Sequence, residues 1–175
     1  MTGTTQKHTV EDYLKLEEGA PFELINGMLV EEPSPSYGHQ ARLRDVFNQI
    51  FNSLKSSAIG ETLCAPMDVY LDEYNVYQPD IIYISNERKH IIREDGIHGV
   101  PDLIIEFLSP STAYYDIKEK KRVYEKYGVM EYWIINPDND EVIGFENVNE
   151  KFQEFYRGYE KFSSKVLKLD ISLKF

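Results

Sequence analysis

The chain has 175 residues, 42% of them hydrophobic, which predicts one globular domain over residues 1–175 with a well-filled core. Acidic residues outnumber basic ones by 30 to 19, and the net charge of −11 argues against a protein that coats nucleic acid by displacing counterions. The single cysteine excludes a disulfide framework and a cysteine-rich zinc site. No apolar run is long enough to span a bilayer, and the N-terminus lacks an apolar secretion segment, so we expect a cytoplasmic protein.

The first third of the chain predicts a helix, a hairpin and a second, longer helix. Thr9 followed by VEDYLKLEE combines a capping residue with acidic groups in the first turn. Asn26-Gly27 lies between two apolar runs, which predicts a two-residue hairpin turn. From His39 to about Ala58 the apolar residues recur at helical spacing and predict an amphipathic helix that covers a sheet. The predicted inward face consists of Leu43, Val46, Phe47, Ile50, Phe51 and Leu54.

The remaining sequence predicts mostly strands, with one further helix. ETLCAPMDVYLDE, VYQPDIIYIS and DLIIEFL are typical of strands, and NERKHIIREDGIHG predicts a loop with about one helical turn. DIKEKKRVYEKYG predicts a helix that ends at Gly128, before the strands EYWIINP, EVIGFEN and KFQEFYRG. The alternating tail VLKLDISLKF predicts an edge strand. This order indicates a mixed α and β fold built around one central sheet flanked by helices.

Two carboxylates on the apolar strands are candidate metal ligands. On alternating strands, Asp80 shares a face with Ile82, and Glu106 shares a face with Ile104. If the two strands are neighbours, Asp80 and Glu106 meet. Close, buried carboxylates repel each other unless a cation lies between them, and hard oxygen ligands suit Mg²⁺ or Mn²⁺. The pattern therefore predicts a divalent metal site.

Lys120 is the candidate cation of the same site. At the α-helical step of about 100° per residue, Lys120 falls near the middle of an arc formed by Ile117, Val123, Tyr124 and Tyr127. The other charged residues of this helix point away from that arc, apart from Lys121 at its margin. A lysine that faces inward requires an anionic partner, which a carboxylate pair or a substrate phosphate supplies.

Each of these residues also has a structural explanation. Asp80 and Asp102 both follow a proline at the start of a strand, where aspartate is common as a turn or cap residue, and for Asp102 this explanation is favoured. Glu106 can pair with an arginine or a tyrosine of the core. Lys120 can extend along Tyr124 to solvent.

Two further residues are candidate accessory groups of the site. His39 lies early in the long helix, where capping or packing is the commoner role. Glu23 lies in the predicted hairpin, where a solvated or salt-bridged carboxylate is the commoner outcome. The sequence has no Gly-rich phosphate loop, nucleophile elbow or HExxH helix, and SPST at Ser109 to Thr112 is typical of a strand-to-helix turn.

Four segments in this order resemble the Uma family of restriction-endonuclease-like nucleases, and the resemblance covers nearly the whole chain. They are QPD at Gln78 to Asp80, PDLIIEFLSPST at Pro101 to Thr112, the D-x-x-x-K-x-x-x-Y motif of Asp116, Lys120 and Tyr124, and YGVMEYWIINP. The opening VEDYLKLEEGAPFELINGMLVEEPSPSYGHQ is also similar to the N-terminus of that family.

The resemblance implies a P-D-(D/E)-x-K fold, with Asp80 and Glu106 holding Mg²⁺ or Mn²⁺ and Lys120 completing the catalytic set. Glu23, His39 and Tyr124 are its candidate accessory residues. One departure from the simplest pattern of the superfamily is Leu108, which occupies the position two after Glu106 where that pattern has lysine. Lys120 is the matching candidate for the relocated lysine.

The function implied is a metal-dependent endonuclease that hydrolyses phosphodiesters of nucleic acid, with DNA the expected substrate and a homodimer the expected state. The alternative is a module of the same fold that binds nucleic acid or protein without cutting. A purely structural core network is the third explanation, and it has to account for three costly ionisable groups together.

Overall fold

The computed structural model describes residues 7–109 and 113–173. The first part of the chain forms helix α1 (Val10–Tyr13), the hairpin β1 (Phe22–Ile25) and β2 (Met28–Glu31), and the long helix α2 (Tyr37–Ser57). Strands β3 (Gly60–Cys64), β4 (Val69–Asp72), β5 (Asn75–Tyr77) and β6 (Ile81–Ser85) follow. The predicted turn at SPST extends into residues 110–112, which lie outside the described residues.

The second part begins with a 3₁₀ helix (Asn86–Ile91) and the short strands β7 (Ile92–Arg93) and β8 (Gly96–His98). Strand β9 (Leu103–Phe107) leads to a π-helical segment (Tyr115–Lys120), which continues directly into helix α3 (Lys121–Tyr127). The remaining strands are β10 (Glu131–Asn136), β11 (Glu141–Val148), β12 (Lys151–Tyr159), β13 (Lys161–Ser164) and β14 (Leu169–Ser172).

The strands form two six-stranded mixed sheets and a separate hairpin of β13 and β14. Sheet A has the order β2-β1-β5-β4-β8-β7, and sheet B has the order β12-β11-β10-β9-β6-β3. Helix α2 and the C-terminal hairpin cover one face of sheet B, whereas sheet A and helix α3 cover the other. Strand β9 is therefore buried on both faces, which explains its continuous apolar run.

The mixed α and β class is confirmed, but the prediction of one central sheet is wrong. The segments that contain Pro66 and Pro79 each predicted one strand, and each divides into two strands that join different sheets. Proline has no N–H to donate to a ladder, so each proline lies where the chain leaves one sheet for the other. The second break, between β5 and β6, places Asp80 just before a strand of sheet B.

Several local predictions also need correction. Helix α1 is confined to Val10–Tyr13, and the predicted loop after Ser85 contains a 3₁₀ helix and two short strands. The tail pairs with β13 in its own hairpin and does not extend a central sheet. On helix α2, Phe51 is 44% exposed, although the other predicted core positions are buried or half-buried.

The helix that carries Lys120 departs from the predicted α-helical geometry. Between Tyr115 and Lys120 the backbone is π-helical, with hydrogen bonds that span one residue more than in an α-helix. This wider turn places Asp116 and Lys120 on the inner side and leaves Ile117 44% exposed, contrary to the predicted inward arc. None of the helices in the described ranges is long and apolar enough to cross a membrane.

Candidate active site

Asp80 and Glu106 meet where strand β6 begins and the antiparallel strand β9 ends. The pairing of Ile81 with Ile105 and of Ile82 with Ile104 brings the two carboxylates to the same end of the ladder. The Asp80 N–H donates to Glu106 Oε2 at 3.2 Å, and the Phe107 N–H donates to Asp80 Oδ2 at 2.7 Å. Each carboxylate is thus held by a backbone group of the opposite strand.

Lys120 reaches this place from the π-helical segment and is only 3% exposed. Its Nζ lies 2.7 Å from Glu23 Oε2, 3.1 Å from Asp116 Oδ1 and 3.6 Å from Glu106 Oε1. The alternative that Lys120 extends to solvent is therefore wrong. One buried ammonium group is shared by carboxylates from a strand of each sheet and from its own helix.

The three accessory candidates all lie around this centre. Glu23 on β1 is fully buried, and its Oε1 accepts a hydrogen bond of 2.6 Å from the Gln78 N–H. His39 Nε2 lies 2.9 Å from Asp80 Oδ1, in the first turn of α2, where its own N–H donates to the capping hydroxyl of Ser36. The Tyr124 hydroxyl donates to Glu106 Oε1 at 3.0 Å. The structure therefore brings the predicted catalytic and accessory residues together.

The electrostatics of the cluster are dominated by burial and by an excess of negative charge. Burial raises the pKa of Glu106 well above its usual value, against the opposing effect of Lys120. Burial alone would lower the pKa of Lys120, but the attraction of Glu106, Glu23 and Asp116 raises it well above its usual value. Lys120 is therefore cationic at neutral pH.

The pKa values of His39 and Asp116 are both raised, but for different reasons. The hydrogen bond to Asp80 raises the pKa of His39, against the effect of burial. Burial also raises the pKa of Asp116, although Lys120 opposes this. Repulsion by Glu23 and Asp80 adds to the effect of burial on the pKa of Asp116, and attraction by Asp80 and Asp116 adds to the rise in the pKa of His39.

The predicted site omitted two carboxyl groups that the tertiary structure adds. Asp116 belongs to the motif that contains Lys120. It lies four residues before Lys120, and this helical spacing could have predicted that the two side chains meet. Glu32, just after β2, has a buried Oε1 with no hydrogen-bond partner among the described residues. Burial, followed by the charge of Glu23, raises the pKa of Glu32 to about 8. No pattern in the sequence marks Glu32, since its position depends on how the hairpin packs.

The cluster forms the floor of a cleft with a volume of about 730 Å³. Its walls come from the segments 19–21, 32–36 and 65–66, from the start of α2, from the end of β9 and from the turn after β10. Asp80, Glu106, Asp116 and Lys120 all line it. Ligand access to the carboxylates is through this cleft.

Asp102 is a structural residue, as the sequence favoured. Its Oδ2 accepts a 2.7 Å hydrogen bond from the Ser85 N–H, and its Oδ1 lies 3.3 Å from Arg88 Nε. It lies at the opposite end of β9 from Glu106 and does not line the cleft. The two Pro-Asp pairs of the chain therefore differ: Asp80 lines the cleft, whereas Asp102 stabilises the fold.

The donor chemistry of the cleft floor fits a hard divalent cation. Within residues 7–109 and 113–173, no three His, Cys, Asp or Glu side chains form a ready metal cage. Mg²⁺ is commonly bound by one or two carboxylates, with water and substrate phosphate as its other ligands. Asp80 and Glu106 supply such a pair, and each oxygen that accepts one hydrogen bond retains a second lone pair.

Comparison with known proteins gives the family. The family Uma2, described as "Putative restriction endonuclease", matches residues 10–174, and the chain belongs to it. The fold is also similar to a crystal structure described as "a putative nuclease belonging to DUF820 from Anabaena variabilis ATCC 29413", with a TM-score of 0.77 and 22% identity over 94% of each chain. No curated protein matches the chain.

Proposed function

We propose that this protein is a divalent-metal-dependent nuclease that hydrolyses phosphodiester bonds of nucleic acid. The observation that carries the proposal is the position of Lys120, a buried ammonium group 3.6 Å from Glu106 on the floor of an open cleft that Asp80 also lines. Membership of a family described as "Putative restriction endonuclease" supports it, as does a fold similar to that of a protein described as "a putative nuclease".

Asp80 and Glu106 would hold Mg²⁺ or Mn²⁺, which when bound activates water and neutralises charge on the phosphate. In the reaction, a water oxygen forms a bond to phosphorus, the ester P–O bond breaks, and a proton from water passes to the leaving oxygen. Lys120 stays protonated, so it acts as a cation that orients the water or neutralises developing negative charge.

Three residues position this machinery. His39 holds Asp80 through the contact between Nε2 and Oδ1, and Tyr124 holds Glu106 by donating to its Oε1. Glu23 contacts Lys120 and fixes where its ammonium group lies. These contacts determine the angle at which each functional group faces the cleft.

A cleavage assay with metal titration tests the proposal. Asp80→Ala and Glu106→Ala should each lower the cleavage rate at least about 1,000-fold, because each removes a metal ligand. Lys120→Ala should be nearly as inactive while still binding metal by calorimetry. Lys118→Ala, an exposed lysine of the same helical segment, is the matched control and should keep full activity. Cleavage that survives in Glu106→Ala would place the activity elsewhere.

The cleft itself favours a second candidate, a non-catalytic binding module of the same fold. Such a module predicts apolar or acidic surroundings beside the carboxylates, and the cleft walls have this character. No cleavage of any nucleic acid, together with no metal binding by the unmutated protein, would favour this second candidate over the nuclease. The cytoplasmic location and the homodimer remain proposals, and light scattering measures the latter directly.

A further inference from the structure

The charge of the cleft walls bears on which nucleic acid can enter. Lys120 is the one lysine or arginine among the described residues that line the cleft, and its ammonium group already contacts three carboxylates. The acidic lining residues are Glu32, Asp80, Glu106, Asp116 and Asp138. Duplex binding depends on several basic side chains that neutralise backbone phosphates, and the cleft provides no such set.

The walls offer apolar contacts instead. Leu108 lines the cleft at the end of β9 and is half-buried, whereas the neighbouring Phe107 is only 2% exposed and packs into the core. Prolines contribute from several different segments of the chain, namely Pro21, Pro33, Pro35, Pro66 and Pro137. Apolar walls can cover the flat faces of unstacked bases, because moving apolar surface out of water is favourable.

The size and depth of the cleft limit what can reach its floor. A volume of about 730 Å³ lies within the range of pockets for one drug-sized ligand, and a nucleotide is of that size. Glu106 and Lys120 are each 3% exposed, so a phosphodiester must enter the cleft to reach them. In a duplex the base faces are stacked inside, so apolar walls gain nothing from them unless the strand is opened.

We infer that the cleft takes single-stranded nucleic acid, bound through base contacts with its apolar walls and not through a basic groove. The inference rests on the proposed nuclease function and adds its substrate class. An intact duplex is a poor substrate, and cleavage depends little on salt.

The first test compares one labelled 30-nucleotide strand, the same strand in a duplex, and a duplex with a single-stranded flap, all with Mn²⁺ or Mg²⁺. The unmutated protein should cut the strand and the flap at least about 100-fold faster than the duplex. Equal cleavage of strand and duplex, within tenfold, overturns the inference but leaves the nuclease function standing.

Salt dependence gives a second, independent measurement. For single strands, affinity falls with a logarithmic slope of about −0.7 for each phosphate that a basic residue neutralises. One such contact gives a loss of about threefold between 50 and 200 mM salt, and the acidic walls reduce it further. A loss greater than tenfold would require a basic surface that grips the backbone, and it would overturn the inference.

A wall variant shows whether base contacts carry the binding. Leu108→Ala should weaken the binding of the single strand in Ca²⁺ at least about fivefold by fluorescence anisotropy, while the thermal unfolding profile stays cooperative. Leu14→Ala is the matched control, because Leu14 is 62% exposed and lies outside this cleft. Equal affinities of the two variants would overturn the inference.

If no substrate is cleaved, the binding measurement distinguishes the proposed nuclease function from the single-strand inference. If no substrate is cut but the single strand binds in a manner that depends on Leu108, the nuclease function is wrong and the single-strand cleft is right. If no single strand binds, the inference is wrong regardless of activity.

Discussion

Two buried glutamates on neighbouring strands of sheet B show how differently this fold uses a carboxylate. Glu106 on β9 and Glu131 on β10 are 3% and 2% exposed. Glu131 accepts four hydrogen bonds from uncharged donors: the Trp133 indole, the Ser164 hydroxyl, and the N–H groups of Lys165 and Val166. Glu106 instead lies among other carboxyl groups that share one lysine.

The two glutamates differ in the groups that surround their carboxylate oxygens. Each oxygen of Glu131 accepts two hydrogen bonds, which compensate for the burial of the carboxylate. The same bonds connect the segment after β13 to sheet B. Glu106 lies in a cluster where burial and like charges disfavour ionisation, and only an added cation relieves both effects. Glu131 is thus a structural acceptor, whereas the carboxyl groups around Glu106 make it the candidate metal ligand of the proposed function.

The largest stability effect should come from Glu131→Gln. The amide NH₂ must face either the Trp133 and Ser164 donors or the two backbone N–H groups, so two buried donors lose their acceptor. We expect a loss of about 3 kcal/mol, or roughly 6–12 °C in Tm for a chain of this size. Glu17→Gln, at an exposed position, is the control for thermal unfolding and should unfold like the unmutated protein. If Glu131→Gln has nearly the same Tm as the unmutated protein, Glu131 is not a structural acceptor.

Divalent cations should stabilise the folded protein by binding at Glu106 and Asp80. At 100 times the dissociation constant, a bound ion adds about 2.7 kcal/mol, which corresponds to roughly 5–11 °C in Tm. Asp80→Asn should abolish the shift, since a metal ligand is lost, whereas Glu131→Gln should keep it. The measurement is thermal unfolding in EDTA and in Mg²⁺ or Mn²⁺. An equal shift in Asp80→Asn would mean that the ion binds elsewhere.

The pH dependence of stability should report the excess of carboxyl groups. Because burial raises the pKa of Glu32 to about 8, the folded protein holds a proton that the unfolded chain releases near its usual value of about 4.5. This contribution to stability is complete below pH 4.5 and is lost as the pH rises towards 8.

Glu32→Gln should therefore resemble the unmutated protein only at or below about pH 4.5, and should be the more stable of the two by a margin that grows as the pH rises to 8. Thermal unfolding at both pH values, in EDTA, measures the difference. If the two proteins keep the same relative Tm at both pH values, Glu32 does not retain its proton in the folded state.

The smallest effect should come from Glu106→Gln, which matches the Glu131 substitution atom for atom. The amide removes like-charge repulsion and creates no cavity, and these gains offset the one donor, Tyr124 or the Asp80 N–H, that loses its acceptor. Its free energy of unfolding without metal should change by less than about 1 kcal/mol. A large loss would show that Glu106, like Glu131, is a structural acceptor.

The sequence by itself was sufficient for the class of fold and for the family, and it predicted the catalytic and accessory candidates that the structure brings together. Asp80, Glu106 and Lys120 could be selected because charged groups in apolar strands and on an apolar helical arc conflict with burial. The hairpin at Asn26-Gly27 and the helix end at Gly128 followed from local backbone preferences, with φ of 52°, 83° and 82° in the structure.

Only the tertiary structure decided how these pieces meet. Two prolines divided predicted strands between separate sheets, and a π-helical segment turned Asp116 inward and Ile117 outward, because hydrogen-bond registers depend on packing partners far away in the chain. Glu32 joined the cluster for the same reason. Local pattern identifies a residue that is costly to bury, but whether neutral donors or other carboxylates surround it is settled by the packing of distant segments.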